Sequence, residues 1–153
     1  MSHGIIRKLF NKALLEYTDT TGMPVFLDNV RSFDQNGVPI EPPSQGEYLK
    51  AHLIPADTYD DSLSGDHRVY TGMYQVTIVT KYGVGALQSE SIANAIQNVF
   101  RLNRRFVDPA DTNPIEENRF TVQVTSPVTV PEGRQLGVQW ILPIHFEYRA
   151  DTN

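Results

Sequence analysis

The strongest constraint on the fold is a run of alternating apolar and polar residues near the C-terminus. Every second residue from Leu136 to Tyr148 is large and apolar, whereas Gln139, His145 and Glu147 lie between them. A period of two places the apolar side chains on one face of a strand, so we expect a sheet with one buried face. The apolar set is Leu136, Val138, Trp140, Leu142, Ile144, Phe146 and Tyr148.

Other runs of the same kind predict the partners of this strand. From Val69 to Tyr82 the even positions are mostly aromatic or branched, and most of the odd positions are polar. The segments Phe120–Val124 and Leu49–Leu53 also alternate, and Pro55 ends the latter run. A short apolar segment, Val25–Val30, fits a minor strand. Strands with one apolar face are typical of antiparallel sheets.

Two segments follow helical spacing instead. The first begins near Ser2, a suitable N-cap, and is ended by Gly22 and Pro24. The second extends over residues 86–101. Their apolar stripes, at helical spacing, are Ile6, Leu9, Phe10, Ala13 and Tyr17 in the first and Ile92, Ala93, Ile96, Val99 and Phe100 in the second.

The order of these elements predicts the fold class. It reads helix, minor strand, hairpin, helix, hairpin, with a proline- and glycine-rich extended loop over residues 34–47. We therefore predict one α+β domain over residues 1–153, with a single twisted, mainly antiparallel or mixed sheet and two helices packed on one face. Because Pro143 cannot donate to a hydrogen-bond ladder, we expect the last strand to lie at a sheet edge or to carry a bulge.

Composition argues against several classes of function. The chain has 153 residues, a formal net charge of −5 and no cysteine. Proteins that bind duplex nucleic acid need clustered lysine and arginine residues, so a net negative charge argues against this function. Without cysteine there is no disulfide framework, thiolate zinc site or cysteine nucleophile. No apolar run approaches the roughly 20 residues of a membrane span, and charged residues in the first 17 positions are not expected of a secretory signal.

The motifs that could indicate catalysis each lack an essential part. Gly83 and Gly85 follow a strand and open a helix, as in a dinucleotide-binding loop, but Gln88 occupies the third glycine position. A simple strand-to-helix turn is the better interpretation. His145 and Glu147 form a His-x-Glu pair without the cysteines of a zinc deaminase. We therefore predict no catalytic residue, no cofactor and no metal site, and we expect that the chain is not an enzyme.

One charged cluster is a candidate surface for an interface or a lumen. It lies in the loop from Pro55 to Asp66, which lacks the ligand spacing of an EF-hand. A solvated hairpin loop is the simplest interpretation, and a loop that faces a partner or a lumen is the alternative. Its carboxylates belong to Asp57, Asp60, Asp61 and Asp66.

A second candidate surface is basic and directly follows the second predicted helix. It consists of Arg101, Arg104 and Arg105. Cations at that position complement the negative C-terminal end of a helix dipole. Contact with a partner is the alternative interpretation, and readout of nucleic acid is a third.

Several short motifs, in order over residues 48–150, resemble those of phage tail-terminator proteins of the minor tail protein U-like family. The stretch from Tyr70 to Ile78 resembles the Gly-x-Tyr-Gln-Val strand of that family. Tyr48 to Ala56 and the helix that carries Ile92 to Ile96 are similar to two further landmarks. Trp140 to Ala150 resembles the closing strand. The segment from Arg101 to Arg105 departs from the short Pro/Gly turn expected there.

The resemblance implies a structural role without covalent chemistry. It implies a cyclic homo-oligomer, a hexamer by expectation, that caps the tail tube, stops its polymerisation and provides the surface for head attachment. The implied partners are other copies of the chain, the tail tube protein and the head-tail connector protein, with DNA only passing through the lumen and no membrane. The implied location is the virion tail, after assembly in the host cytoplasm. In such a ring, the acidic loop could line the opening and repel DNA phosphates.

Two other classes of function stay open from the sequence. One is a different phage neck or head-completion protein of similar architecture. The other is a small ligand-binding protein or enzyme, which a deep pocket with converging polar groups and shifted pKa values would favour.

Overall fold

The computed structural model describes residues 2–33, 35–44 and 46–152. Met1, Asp34, Gln45 and Asn153, which fall within the predicted domain or loop, lie outside the described residues. The helices are α1 (His3–Thr21) and α2 (Leu87–Val99), with a short 3-10 turn at Glu116–Asn118. The strands are β1 (Val25–Leu27), β2 (Ser32–Phe33), β3 (Pro39–Ile40), β4 (Tyr48–Pro55), β5 (Tyr59–Asp60), β6 (Arg68–Lys81), β7 (Arg105–Val107), β8 (Thr121–Val124), β9 (Arg134–Leu136) and β10 (Gln139–Asp151).

The main sheet has the strand order β1-β4-β6-β10-β8-β7, with β5 beside β6 and β9 beside β10. The long pair β6 and β10 is antiparallel along its whole length, from Gln139 opposite Lys81 to Asp151 opposite Val69. Only the pairing of β1 with β4 is parallel among the described strands. The predicted α+β class with a mixed sheet is therefore confirmed.

Both helices pack on the same face of the sheet, as predicted. The Phe10 ring of α1 is fully buried and lies 5.2 Å from Phe146 of β10 and 5.1 Å from Tyr74 of β6. Phe100, at the C-terminal end of α2, stacks on Phe146 at 4.7 Å. Helix α1 ends where Gly22 takes the left-handed conformation (φ 71°) and donates its N–H to the Thr18 carbonyl at 2.8 Å.

The prediction of the last strand is wrong at its N-terminal end, because β10 begins at Gln139 and not at Leu136. Gly137 adopts a left-handed φ of 61°, and the chain reverses there, so that Leu136 of β9 lies opposite Gln139 of β10. Leu136 and Val138 are consequently exposed at a hairpin tip. Trp140 is only half-buried, so the buried part of the alternation begins at Leu142.

The expectation that Pro143 marks a sheet edge or a bulge is also wrong, since β10 lies in the middle of the sheet and pairs with β6 without a break in register. The His145 N–H donates to the Thr129 carbonyl at 3.2 Å, on the side of β10 away from β6. Alternate residues of a strand direct their N–H groups to the same side. The Pro143 nitrogen therefore faces the gap between β9 and Thr129, where no ladder hydrogen bond is lost.

The predicted extended loop over residues 34–47 contains a strand that the sequence did not reveal. Strands β2 and β3 form a separate two-stranded sheet, with Phe33 opposite Pro39. Phe33, Val38 and Ile40 are exposed on this hairpin. Such short two-stranded hairpins are marginally stable in water on their own.

A polar network joins α1 to the sheet near β1. The Arg7 guanidinium donates to Asp28 Oδ2 at 2.8 Å, and the Leu53 N–H donates to the same oxygen at 3.2 Å. His52 Nδ1 contacts Asp28 Oδ1. Burial alone would raise the pKa of Asp28, but these hydrogen bonds outweigh it and hold the pKa below its ordinary value.

Asp28→Asn is expected to lower the free energy of unfolding at neutral pH by about 1–3 kcal/mol, because the carboxylate that Arg7 bonds is lost. The folded pKa of Asp28 is lowered, so its contribution is present above the unfolded pKa and disappears as the pH falls through the folded pKa. Urea denaturation should therefore show a difference in the free energy of unfolding between wild type and variant, and this difference should become smaller below about pH 4. Asp19→Asn, at an exposed position of α1, is the control. A difference in the free energy of unfolding that stays constant from neutral to acidic pH would contradict this account.

Candidate assembly surfaces

The acidic loop, residues 55–66, is shaped by hydrogen bonds within itself. The Asp60 carboxylate accepts hydrogen bonds from the Ser62 N–H at 2.8 Å and from the Ser62 hydroxyl at 2.9 Å. The first of these is the main cause of a pKa of Asp60 below its ordinary value. The Asp61 N–H donates to the His67 carbonyl at 3.3 Å and closes the loop. The loop therefore has a defined conformation.

The tip of the acidic loop presents an apolar side chain among carboxylates. Leu63 is fully exposed. Asp61 lies 3.9 Å from the Arg149 guanidinium. In the described part of the chain, neither Asp57 nor Asp66 forms an ion pair. The loop therefore exposes unneutralised negative charge around a leucine.

The arginine segment, residues 101–105, connects α2 to the edge strand β7. Arg104 donates to the Val99 carbonyl at the C-terminal end of α2, and its guanidinium lies 4.7 Å from the Phe106 ring centroid. This position agrees with the predicted role of a cation at the helix end. Arg101 and Arg105 are exposed, as is Leu102 between them.

The structure does not bring the two predicted clusters together. The acidic loop connects β4 to β6, whereas the arginine segment leads into β7 at an edge of the sheet. Asp61 instead approaches Arg149 of β10, which also pairs with Asp151 at 2.8 Å. Arg149 alternates with the buried Tyr148 and Ala150, so it lies on the face of β10 away from the core.

The sheet face opposite the helices carries two open grooves that sequence reasoning missed. One, of about 650 Å³, lies beside the start of the acidic loop and includes Ile54, Met73 and Glu147 in its lining. The other, of about 840 Å³, is polar and includes Arg105 and Arg149. The register explains the second groove, because Arg105, Gln123 and Arg149 lie side by side on β7, β8 and β10.

A further exposed surface lies where β6 ends and β10 begins, and we call it the apolar end. The Tyr82 N–H donates to the Val138 carbonyl at 3.0 Å, which joins the two strand ends. Exposed apolar patches are typical of proteins that bind other proteins. The exposed apolar residues there are Tyr82, Val84, Leu87, Leu136 and Val138.

The described residues contain no group of three or more His, Asp or Glu side chains that could hold a metal ion. Within the same ranges, no helix is long and apolar enough to cross a membrane. His52 contacts Asp28, as in part of a catalytic triad, but the other side chain on this carboxylate is Arg7, which cannot act as a nucleophile. The network instead links α1 to β4.

The structure defines a small α+β protein whose most prominent exposed features are the acidic loop, the arginine segment and the apolar end. Residues 5–148 match the family model described as phage tail terminator protein. The chain belongs to this family of structural phage tail proteins and is a component of a phage tail.

A comparison with solved structures supports the fold over nearly the whole chain. One structure, whose name states no function, aligns with a TM-score of 0.73 and 27% sequence identity. The alignment covers 98% of this chain and 96% of that one. No curated protein matched the sequence.

Proposed function

We propose that this chain is the terminator subunit that ends tail-tube growth. Copies of it form a ring, a hexamer by expectation, which caps the tube tip and stops further addition of tube protein. The ring then offers its free side to the head-tail connector, and DNA passes only through its lumen. Assembly takes place in the host cytoplasm. The observation that carries this proposal is the family match over residues 5–148.

The distribution of surfaces supports a subunit that contacts different partners at once. The apolar end and the acidic loop lie at opposite ends of β6, a strand of 14 residues. At about 3.3 Å per residue these ends are roughly 45 Å apart. Two surfaces this far apart can be occupied at the same time by different partners, and the apolar end suits the more permanent contact, with the tube tip.

Electron microscopy of the purified protein mixed with tail tubes tests this proposal. We expect a ring of density at one tip of each tube, and no binding along the tube wall. A parallel mixture with connector complexes that lack tubes addresses the alternative, a neck or head-completion protein. Rings on connectors together with bare tube tips would favour that alternative and contradict the terminator function.

A further inference from the structure

We propose that the acidic loop of one copy binds the arginine segment of the next copy, with Leu63 seated against Leu102. This inference rests on the proposed function in one respect, namely that copies of the chain contact each other in a ring. It selects one of the placements that the sequence left open for the acidic loop, a contact between copies instead of the lumen.

The arginine segment forms a shallow surface that is open to solvent. An open concavity of about 540 Å³ is lined by Asn98, Arg101, Leu102, Asn103 and Arg104. Its backbone is fixed, because Asn103 takes a positive φ of 66° and donates its N–H to the Val124 carbonyl at 2.9 Å. The Val124 N–H in turn donates to the Arg104 carbonyl at 3.0 Å. The surface is therefore accessible to a leucine side chain from another copy, and its backbone is already held in place.

The charges of the two surfaces are complementary, and within one copy the only ion pair that the described residues form from either surface joins Asp61 to Arg149. The acidic loop carries four carboxylates and no lysine or arginine, whereas the arginine segment carries three guanidinium groups and no carboxylate. Over the ranges that the structure describes, none of the three arginines forms an ion pair with a carboxylate. Complementary potentials of this kind direct one surface to the other and fix their orientation.

Each surface also has an apolar centre within a charged rim, the arrangement of specific protein interfaces. Leu63 is fully exposed at the centre of the acidic loop, and Leu102 is 47% exposed between the arginines. The overall charge of −5 and the presence of only three arginines in this segment favour an acidic protein segment over nucleic acid as the occupant.

The structure keeps the two surfaces apart within one copy, so a contact between them joins different copies. Strand β5 of the acidic loop and strand β7 are separated by the strands β6, β10 and β8. Four strand spacings correspond to about 19 Å across the sheet. Arg149 of β10, the residue that Asp61 reaches, still lies two strand spacings from β7. A contact between two different surfaces is head-to-tail, and such contacts close into a ring when the rotation per copy fits.

Disulfide trapping tests this contact directly, because the chain has no native cysteine. A chain that carries both Leu63→Cys and Leu102→Cys should give a covalent ladder under mild oxidation, and its last band should be the closed ring. Each single variant can give only a covalent dimer. The matched control pairs Leu63→Cys with Leu15→Cys, which places the second thiol on an exposed position of α1.

Charge reversal provides the independent arm of the test. Asp57→Arg with Asp66→Arg, or Arg101→Asp with Arg104→Asp, should each weaken self-association at least tenfold, as measured by sedimentation. The chain with all four changes should recover part of the association, because the exchanged groups again face opposite charges while Asp60, Asp61 and Arg105 keep their original charge. Glu16→Arg with Asp19→Arg, and Lys8→Asp with Lys12→Asp, are controls at exposed positions of α1, and melting curves check folding.

The outcomes separate this inference from the proposed function. A ladder with charge rescue supports the contact even if tube tips stay bare, in which case only the terminator function fails. Trapping no stronger than in the Leu15 control, both free and on tube tips, overturns the contact. Reversal of Asp57 and Asp66 that leaves the ring intact and makes it bind DNA would also overturn it and place the loop in the lumen.

Discussion

Phe10→Ala is expected to lower the free energy of unfolding by about 3–5 kcal/mol, the largest effect of any single truncation considered for this chain. Phe10 is fully buried and lies 5.1–5.9 Å from five aromatic rings, those of Tyr74, Phe100, Phe106, Phe146 and Tyr148. These rings belong to the sheet and to the end of α2. Phe10 contacts all of them and therefore joins the helical layer to the sheet. Truncation leaves a cavity that the surrounding strands cannot close.

Urea denaturation followed by circular dichroism measures this loss. Phe33→Ala is the matched control, because it removes the same side chain from an exposed position on the β2–β3 hairpin. We expect the control to change stability by about 0.5 kcal/mol or less. Similar losses in the two variants would mean that the aromatic cluster around Phe10 does not hold the layers together.

Gly72→Ala is expected to lower the free energy of unfolding by about 3 kcal/mol, through overpacking instead of a cavity. A Cβ atom at this position would lie 2.5 Å from the Tyr148 hydroxyl oxygen and 2.6 Å from the Ile54 carbonyl oxygen. The Tyr148 side chain extends over Gly72 from the neighbouring strand and bonds His3 Nδ1 through its hydroxyl at 3.0 Å. An added methyl group must therefore displace either a buried ring or the backbone of β4.

Gly4→Ala serves as the control for this substitution. Its new Cβ would lie 3.3 Å from the Ser2 hydroxyl, within helix α1, where alanine is favoured over glycine by about 0.5–1 kcal/mol. Thermal unfolding should show Gly4→Ala as neutral or stabilised and Gly72→Ala as strongly destabilised. Combining Gly72→Ala with Tyr148→Phe should recover only part of the loss, because the contact with the Ile54 carbonyl persists. Equal melting temperatures for Gly72→Ala and wild type would refute the close packing of β4, β6 and β10.

Periodicity predicted the elements that bury large apolar faces. The alternation in β6 and the stripes of both helices correspond to residues that are buried against each other, such as Tyr74, Ile78, Phe10 and Ile96. Periodicity did not predict the two-residue turn before β10. Leu136 and Val138 continue the apolar alternation, and the chain reverses between them because Gly137 takes a left-handed conformation.

The position of Pro143 was mispredicted for a related reason. Proline removes one donor, and a strand in the middle of a sheet tolerates it where the neighbour on that side is interrupted. That interruption depends on where β9 ends and where Thr129 bridges to His145, which are contacts between distant segments. Local sequence contains no signal for it.

The candidate surfaces were predictable only as charged segments. The aspartates and the arginines stood out by composition, but Leu63 and Leu102 follow no period and gave no sign of their exposure. The grooves opposite the helices depend on register, which places Arg105 beside Gln123 and Arg149. Which surface contacts which copy depends on the geometry of a whole ring, and a single chain does not encode it in any local pattern.

The central claim, that this chain ends tail-tube growth, is tested most directly by tube elongation. Short tube segments are mixed with free tube protein, with and without this chain, and tube lengths are measured by electron microscopy over time. The account predicts that saturating amounts of the chain stop elongation, so that mean tube length stays near that of the starting segments. Tubes that lengthen at the same rate with and without the chain would contradict it.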